Sequence, residues 1–172
     1  MKSYLKNYSI LINKIKKMNT LPPHAKLFTT NVVSMYTNID KKVGISAFKH
    51  WIQLYDHELP PNFPITLCLE MLKFIMSNIF QFDDTHWLQC KGIAMGMPTA
   101  CAYATISFSS HECLNLLPNF QHNLLYCKRY IDDIFATWVD LPTHENPNGL
   151  NLMTSLMTWA PSNGKQKPSP TL

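Results

Sequence analysis

Apolar positions recur at helical intervals from the start of the chain. Tyr4, Tyr8, Leu11, Ile12 and Ile15 share one face over Ser3–Met18, and Lys14, Lys16 and Lys17 gather at the end. The spacing predicts a helix, and the lysines suit its C-terminal turn, where the helix dipole is negative. "LPP" at Leu21–Pro23 stops it. "AKLFTTNVVSMY", Ala25–Tyr36, is β-branched and aromatic and predicts a buried strand. Asp40 can cap a helix reaching about Tyr55. "ELPPNFP" is loop, and a second helix starts at Ile65, carrying Leu67, Leu69, Met71, Leu72, Ile75 and Met76. "IFQFDDTHWLQCKG" alternates around Asp83 and Asp84 and predicts a hairpin with a solvated tip. Gly92–Pro98 is a loop, with a helix over Thr99–Leu116 behind it. "NLLYCKRY" and "IFATWV" predict two strands joined by an "IDD" turn.

This order mixes antiparallel hairpins with helices, which is the α+β class. There is no internal repeat. A length of 172 residues suits one domain or part of a larger one. Residues 1–140 read as that domain, and 141–172 read as an irregular Pro- and Ser-containing tail with room for one short helix.

Composition narrows the classes. Hydrophobic residues make up 46% against 15% charged, which favours a packed core over disorder. A net charge of +4 permits a polyanionic partner without requiring one. Cys68, Cys90, Cys101, Cys113 and Cys127 form no C-x-x-C pair and read as reduced, mostly buried thiols. His86 and Cys90 lie four apart on the expected strand, a spacing that suits packing better than zinc. No apolar run is long enough to span a bilayer, and the N-terminus lacks a cleavage site, so the expected location is intracellular, nucleus or cytoplasm.

"KRYIDDIFATW", Lys128–Trp138, sets two like charges side by side in an apolar stretch. At a hairpin tip, Asp132 and Asp133 could be neutralised by Mg²⁺, which takes one or two carboxylates plus substrate phosphates. The same pair also suits a plain solvated turn.

Three segments, "LFTTNVVSMYTNI", "KGIAMGMPTACAYATISF" and "RYIDDIF", occur in this order. Together they resemble reverse transcriptases, most closely those of Penelope-like and related non-LTR retroelements. The resemblance runs from about Ser3 to Trp138. It implies a polymerase palm-like antiparallel sheet with packed helices, acting on an RNA template, a DNA primer and deoxynucleotides with Mg²⁺. It implies Asp132 as metal ligand, Asp133 as supporting carboxylate, and Tyr130 beneath the primer end. Gly92, Gly96 and Pro98 match the loop that contacts template and nucleotide; glycines there allow close backbone approach. Tyr36 would lie under the nucleotide sugar and exclude a 2′-hydroxyl by clash.

The chain departs from that pattern at Asn31, which holds the place of the first catalytic aspartate. Asparagine offers one neutral carbonyl oxygen instead of a carboxylate. Asp40, nine residues on, is no evident substitute. The family's fingers segment ahead of Ser3 and its thumb find no counterpart here, so the expectation is incomplete fingers and no thumb. The expectation is a palm-centred reverse transcriptase fragment, catalytically impaired. The alternatives are a non-catalytic palm-like remnant acting as a nucleic-acid or protein interaction module, and an unrelated α+β module with an Asp turn.

Overall fold

The computed structural model describes residues 3–18 and 20–139. The whole of the expected 141–172 tail, its short helix included, lies outside the described residues, as does Asp140. The elements run α1 (Tyr8–Lys17), β1 (Ala25–Asn31), α2 (Met35–Asn38), α3 (Lys41–Leu54), α4 (Ile65–Ile75), β2 (Ile79–Phe82) and β3 (Thr85–Leu88). There follow α5 (Ala100–His111), a π-helical turn (Glu112–Leu116), α6 (Leu117–Phe120), β4 (Leu124–Tyr130) and β5 (Asp133–Val139). Helices and antiparallel sheets make the fold α+β.

β5 lies centrally in a three-stranded antiparallel sheet of order β1-β5-β4, and β2–β3 form a separate hairpin. Period-two alternation divides the larger sheet. Thr30, Ile134 and Arg129 stand opposite one another on the buried face, with Ala136 and Trp138 further along. Asn31, Asp133 and Tyr130 stand opposite one another on the other face. Ile134 and Trp138 join Val32, Met35, Ile39, Leu72, Met76, Ile93, Tyr103, Ala104 and Phe108 in one core under the helices.

The start of α3 follows the sequence closely. Asp40 Oδ1 accepts from the Lys42 and Val43 amides at 2.8 and 3.0 Å and opens α3, satisfying N–H groups that have no partner inside the helix. α3 and α5 touch where Gly44 meets Tyr103, whose hydroxyl donates to the Lys41 carbonyl at 2.7 Å. A Cβ at Gly44 would lie 2.4 Å from that hydroxyl oxygen.

Four expectations need correction. The helix begins at Tyr8, capped by Asn7, because Ser3–Leu5 is extended along β4. Leu5 N donates to the Arg129 carbonyl and Arg129 N to the Ser3 carbonyl, both at 2.8 Å. The strand expected over Ala25–Tyr36 stops at Asn31: Ser34 takes φ +52°, reverses the chain and starts α2, which carries Tyr36. The helix expected over Thr99–Leu116 runs on without a gap to Phe120, passing through a π turn at Glu112–Leu116. The cysteines are not mostly buried. Cys90 and Cys101 are exposed and the other three half-buried, because Cys90 follows the exposed β2–β3 hairpin and Cys101 faces outward from the first turn of α5. The Asp83–Asp84 tip is exposed as expected, with Asp83 at φ +54°.

Candidate functional site

The hairpin between β4 and β5 has a loop of Ile131 and Asp132, since Tyr130 pairs with Asp133. Ile131 has φ +55° while Asp132 does not. Positive φ at the first central residue alone is the type II′ pattern, where glycine is usual. β1 ends beside this turn. Asn31 pairs with Asp133, and Val32 N donates to the Asp132 carbonyl at 2.9 Å. The structure therefore brings Asn31, Asp132 and Asp133 to one end of one sheet.

The Asp133 carboxylate is already occupied. Asn31 Nδ2 donates to Oδ1 at 3.2 Å, and the Tyr8 hydroxyl donates to Oδ2 at 3.2 Å. Tyr8 also packs on Tyr130, ring centroids 4.1 Å apart at 43°. α1 thus crosses the exposed face of the strand ends. Between them lies a cavity of about 450 Å³ lined by Tyr8, Leu11, Asn31, Lys128, Tyr130 and Asp133.

Tyr36 approaches Asp132 from α2. Desolvation first, then the Cys101 thiol and the Asp132 carboxylate, push its phenol up to about 12, so it stays a neutral hydroxyl at physiological pH. The Gly92–Pro98 loop docks on α2 at one end only. Gly92 N donates to the Ile39 carbonyl at 3.0 Å and Ile93 N to the Tyr36 carbonyl at 2.8 Å. Gly92 is buried at φ +74°, and a Cβ there would sit 2.9 Å from Thr37 and Tyr36 backbone atoms. Gly96, at φ +95°, and Pro98 are exposed in the run to α5 and stand apart from this contact. Asp40 is engaged as the α3 cap.

The residues present do not fit a resident Mg²⁺. Among the described residues no three His, Cys, Asp or Glu side chains come together to hold a metal ion. Mg²⁺ needs anionic or carbonyl oxygens in near-octahedral order, whereas Asn31 presents an N–H to Asp133. Two neutral donors, one at each oxygen, engage that carboxylate without a cation.

Three participants carry no local signal at all or only a faint one. The Tyr8–Asp133 bond spans 125 positions. Arg129 and Glu112, buried behind the turn, were legible only in part: the alternation of β4 puts Arg129 opposite Ile134, on the core face.

No family model and no curated protein matches the sequence. Solved structures do. The structure of apo telomerase from Candida tropicalis, truncated from its C-terminal domain, matches with TM-score 0.56 at 11% identity. That match covers 80% of this chain and 30% of that one. The structure of telomerase from Candida albicans with a TWJ fragment of telomeric RNA matches with TM-score 0.51 at 12% identity, covering 77% and 25%. The fold is similar to part of telomerase. This chain spans less than a third of the telomerase chains it matches. Among the described residues, no helix is long and apolar enough to cross a membrane.

Proposed function

We propose that this chain is the palm-like part of a reverse-transcriptase-type RNA-directed DNA polymerase of retroelement descent, Penelope-like or related non-LTR. In it, nucleotidyl transfer is impaired by Asn31. The fold similarity to telomerase and the three ordered sequence segments support the ancestry. One observation carries the impairment: the Asn31 amide donates to Asp133 where a second carboxylate would have shared a cation. RNA template, DNA primer and deoxynucleotides are the partners of this reading, and Mg²⁺ its cofactor. Asp132 and Asp133 would be the remaining carboxylates for Mg²⁺, which they would hold only weakly beside the Asn31 amide. Tyr36, a neutral phenol beside Asp132, would form the floor under the sugar.

The test is primer extension on an RNA template by the full chain, alongside calorimetric Mg²⁺ titration. The chain as it stands is expected to give no extension and Mg²⁺ binding only in about the millimolar range or none. Asn31→Asp is expected to tighten the binding. Robust extension by the unmodified chain, lost in Asp132→Ala, overturns the impairment.

A further inference from the structure

Arg129 is fully buried, a costly place for a guanidinium unless every N–H is used. Its Nε donates to Glu112 Oε1 and its Nη2 to Glu112 Oε2, both at 3.0 Å, the forked geometry that suits Arg and carboxylate. Nη2 also reaches Ser109 Oγ at 2.7 Å and, more loosely, the Thr105 carbonyl at 3.4 Å. The guanidinium lies 4.8 Å from the centre of the Phe108 ring. Ser3 Oγ donates to Glu112 Oε2 at 2.7 Å and closes the far side of the carboxylate. The π turn that begins at Glu112 sets this side chain beneath the sheet.

A core ion pair needs only the Glu112 fork. Here the remaining arm, Nη1, reaches past it and donates to the Ile131 carbonyl at 2.6 Å. Ile131 is the β-branched residue at φ +55° in the Asp turn, a conformation costing on the order of 1–3 kcal/mol outside glycine. The next carbonyl, that of Asp132, is held by Val32 N. The turn is thus pinned at two successive peptides, with the Asp132 side chain between them.

We propose that Arg129, fixed by Glu112, is a positioning residue for the Asp132–Asp133 turn: its charged bond to the Ile131 carbonyl holds the left-handed conformation that keeps the turn docked at the end of β1, with Asp133 opposite Asn31. The functional meaning rests on the polymerase reading of that turn; the geometric effect is measurable without it.

The test uses the full chain and amide hydrogen exchange by NMR. The Val32 amide reports on the turn, because its acceptor is the Asp132 carbonyl. Arg129→Lys keeps a charge near Glu112 but loses the fork. Val32 exchange should then rise about tenfold beyond the other protected amides of the β1–β5 ladder. Ile131→Gly removes the backbone cost, so adding it to Arg129→Lys should bring Val32 back to within about threefold of the parent. Exchange rising uniformly along the ladder, or no rescue by glycine, overturns the proposal. If Arg129→Lys fails to fold, Ser109→Ala decides. It removes one anchor of the guanidinium, and a rise of about threefold confined to Val32 is expected, while a uniform change or none overturns the proposal. Mn²⁺ titration of Asn31→Asp, with and without Arg129→Lys, separates the two readings. A loss of about tenfold in affinity ties the turn to metal binding. Unchanged affinity with the Val32 response intact leaves the positioning standing and sinks the polymerase reading of the turn.

Discussion

Asn31 donates its side-chain amide to the Asp133 carboxylate across 3.2 Å, joining the end of β1 to the start of β5 through a neutral donor. A carboxylate at position 31 would repel Asp133 unless a cation lay between them. In this chain an amide stands where a metal ion would otherwise be needed at this corner.

Asn31→Asp should therefore make the fold respond to metal. Without divalent ions the variant should lose about 1 kcal/mol, the scale of one hydrogen bond replaced by a screened like-charge pair. Millimolar Mg²⁺ should restore most of it, and the parent should not respond. Thermal melts with Mg²⁺ or a chelator measure this; a parent that gains as much from Mg²⁺ as the variant would contradict it.

Tyr36 predicts a pH dependence. Its phenol is raised to about 12, through desolvation first and then Cys101 and Asp132. The folded state holds this proton more tightly than the unfolded state does. The stabilisation is present below the unfolded value of about 10 and is lost as pH rises through the folded value. Denaturant midpoints followed from neutral pH upward should fall less steeply above about pH 10 in Tyr36→Phe than in the parent. Equal slopes would show that the Tyr36 phenol is not desolvated in the folded state.

Gly44 and Tyr103 make a prediction about the core. A methyl at Gly44 would meet Tyr103 side-chain atoms at 2.4–2.6 Å. Gly44→Ala should cost about 1–3 kcal/mol by overpacking, despite alanine's better helix propensity. Tyr103→Leu should cost stability alone yet recover part of the Gly44→Ala loss when combined. Strictly additive losses in chemical denaturation would argue against this contact.

The two glycines of the loop before α5 should behave differently. Both have positive φ, but only Gly92 meets backbone, at 2.9 Å from Thr37 and Tyr36; nothing lies within 4 Å of a Cβ at Gly96. Gly96→Ala should cost only about 1 kcal/mol of backbone strain. Gly92→Ala should cost more and shift the Tyr36 ring signals in NMR spectra. Similar losses with Tyr36 unmoved would rule out the docking of this loop on α2.

Local rules read from the sequence placed several elements well. Asp40 opens α3 because a side-chain oxygen can satisfy amides two and three residues on, and that requires nothing distant. α4 begins at Ile65, the position its apolar spacing gives. Asp83–Asp84 fall at a tip because the flanking residues alternate. The nearness of Asn31 to the Asp turn was legible only through the family resemblance that the three segments carry, since no periodicity links positions 102 apart.

Tertiary structure decided the rest. Ser3–Leu5 carries helical spacing in its apolar residues, yet pairing with the Arg129 backbone holds it extended, because strand hydrogen bonds outweigh a weak local preference. Val32 and Met35 read as strand, but both reach the core only if Ser34 reverses the chain between them. Above all, the sequence shows an arginine before an Asp pair without showing what the arginine holds. Glu112 and Ser109 converge on Arg129 from the π turn and from α5, and Ser3 in turn donates to Glu112. A buried charge is tolerated only by the sum of such partners, and that sum exists only once the chain has folded.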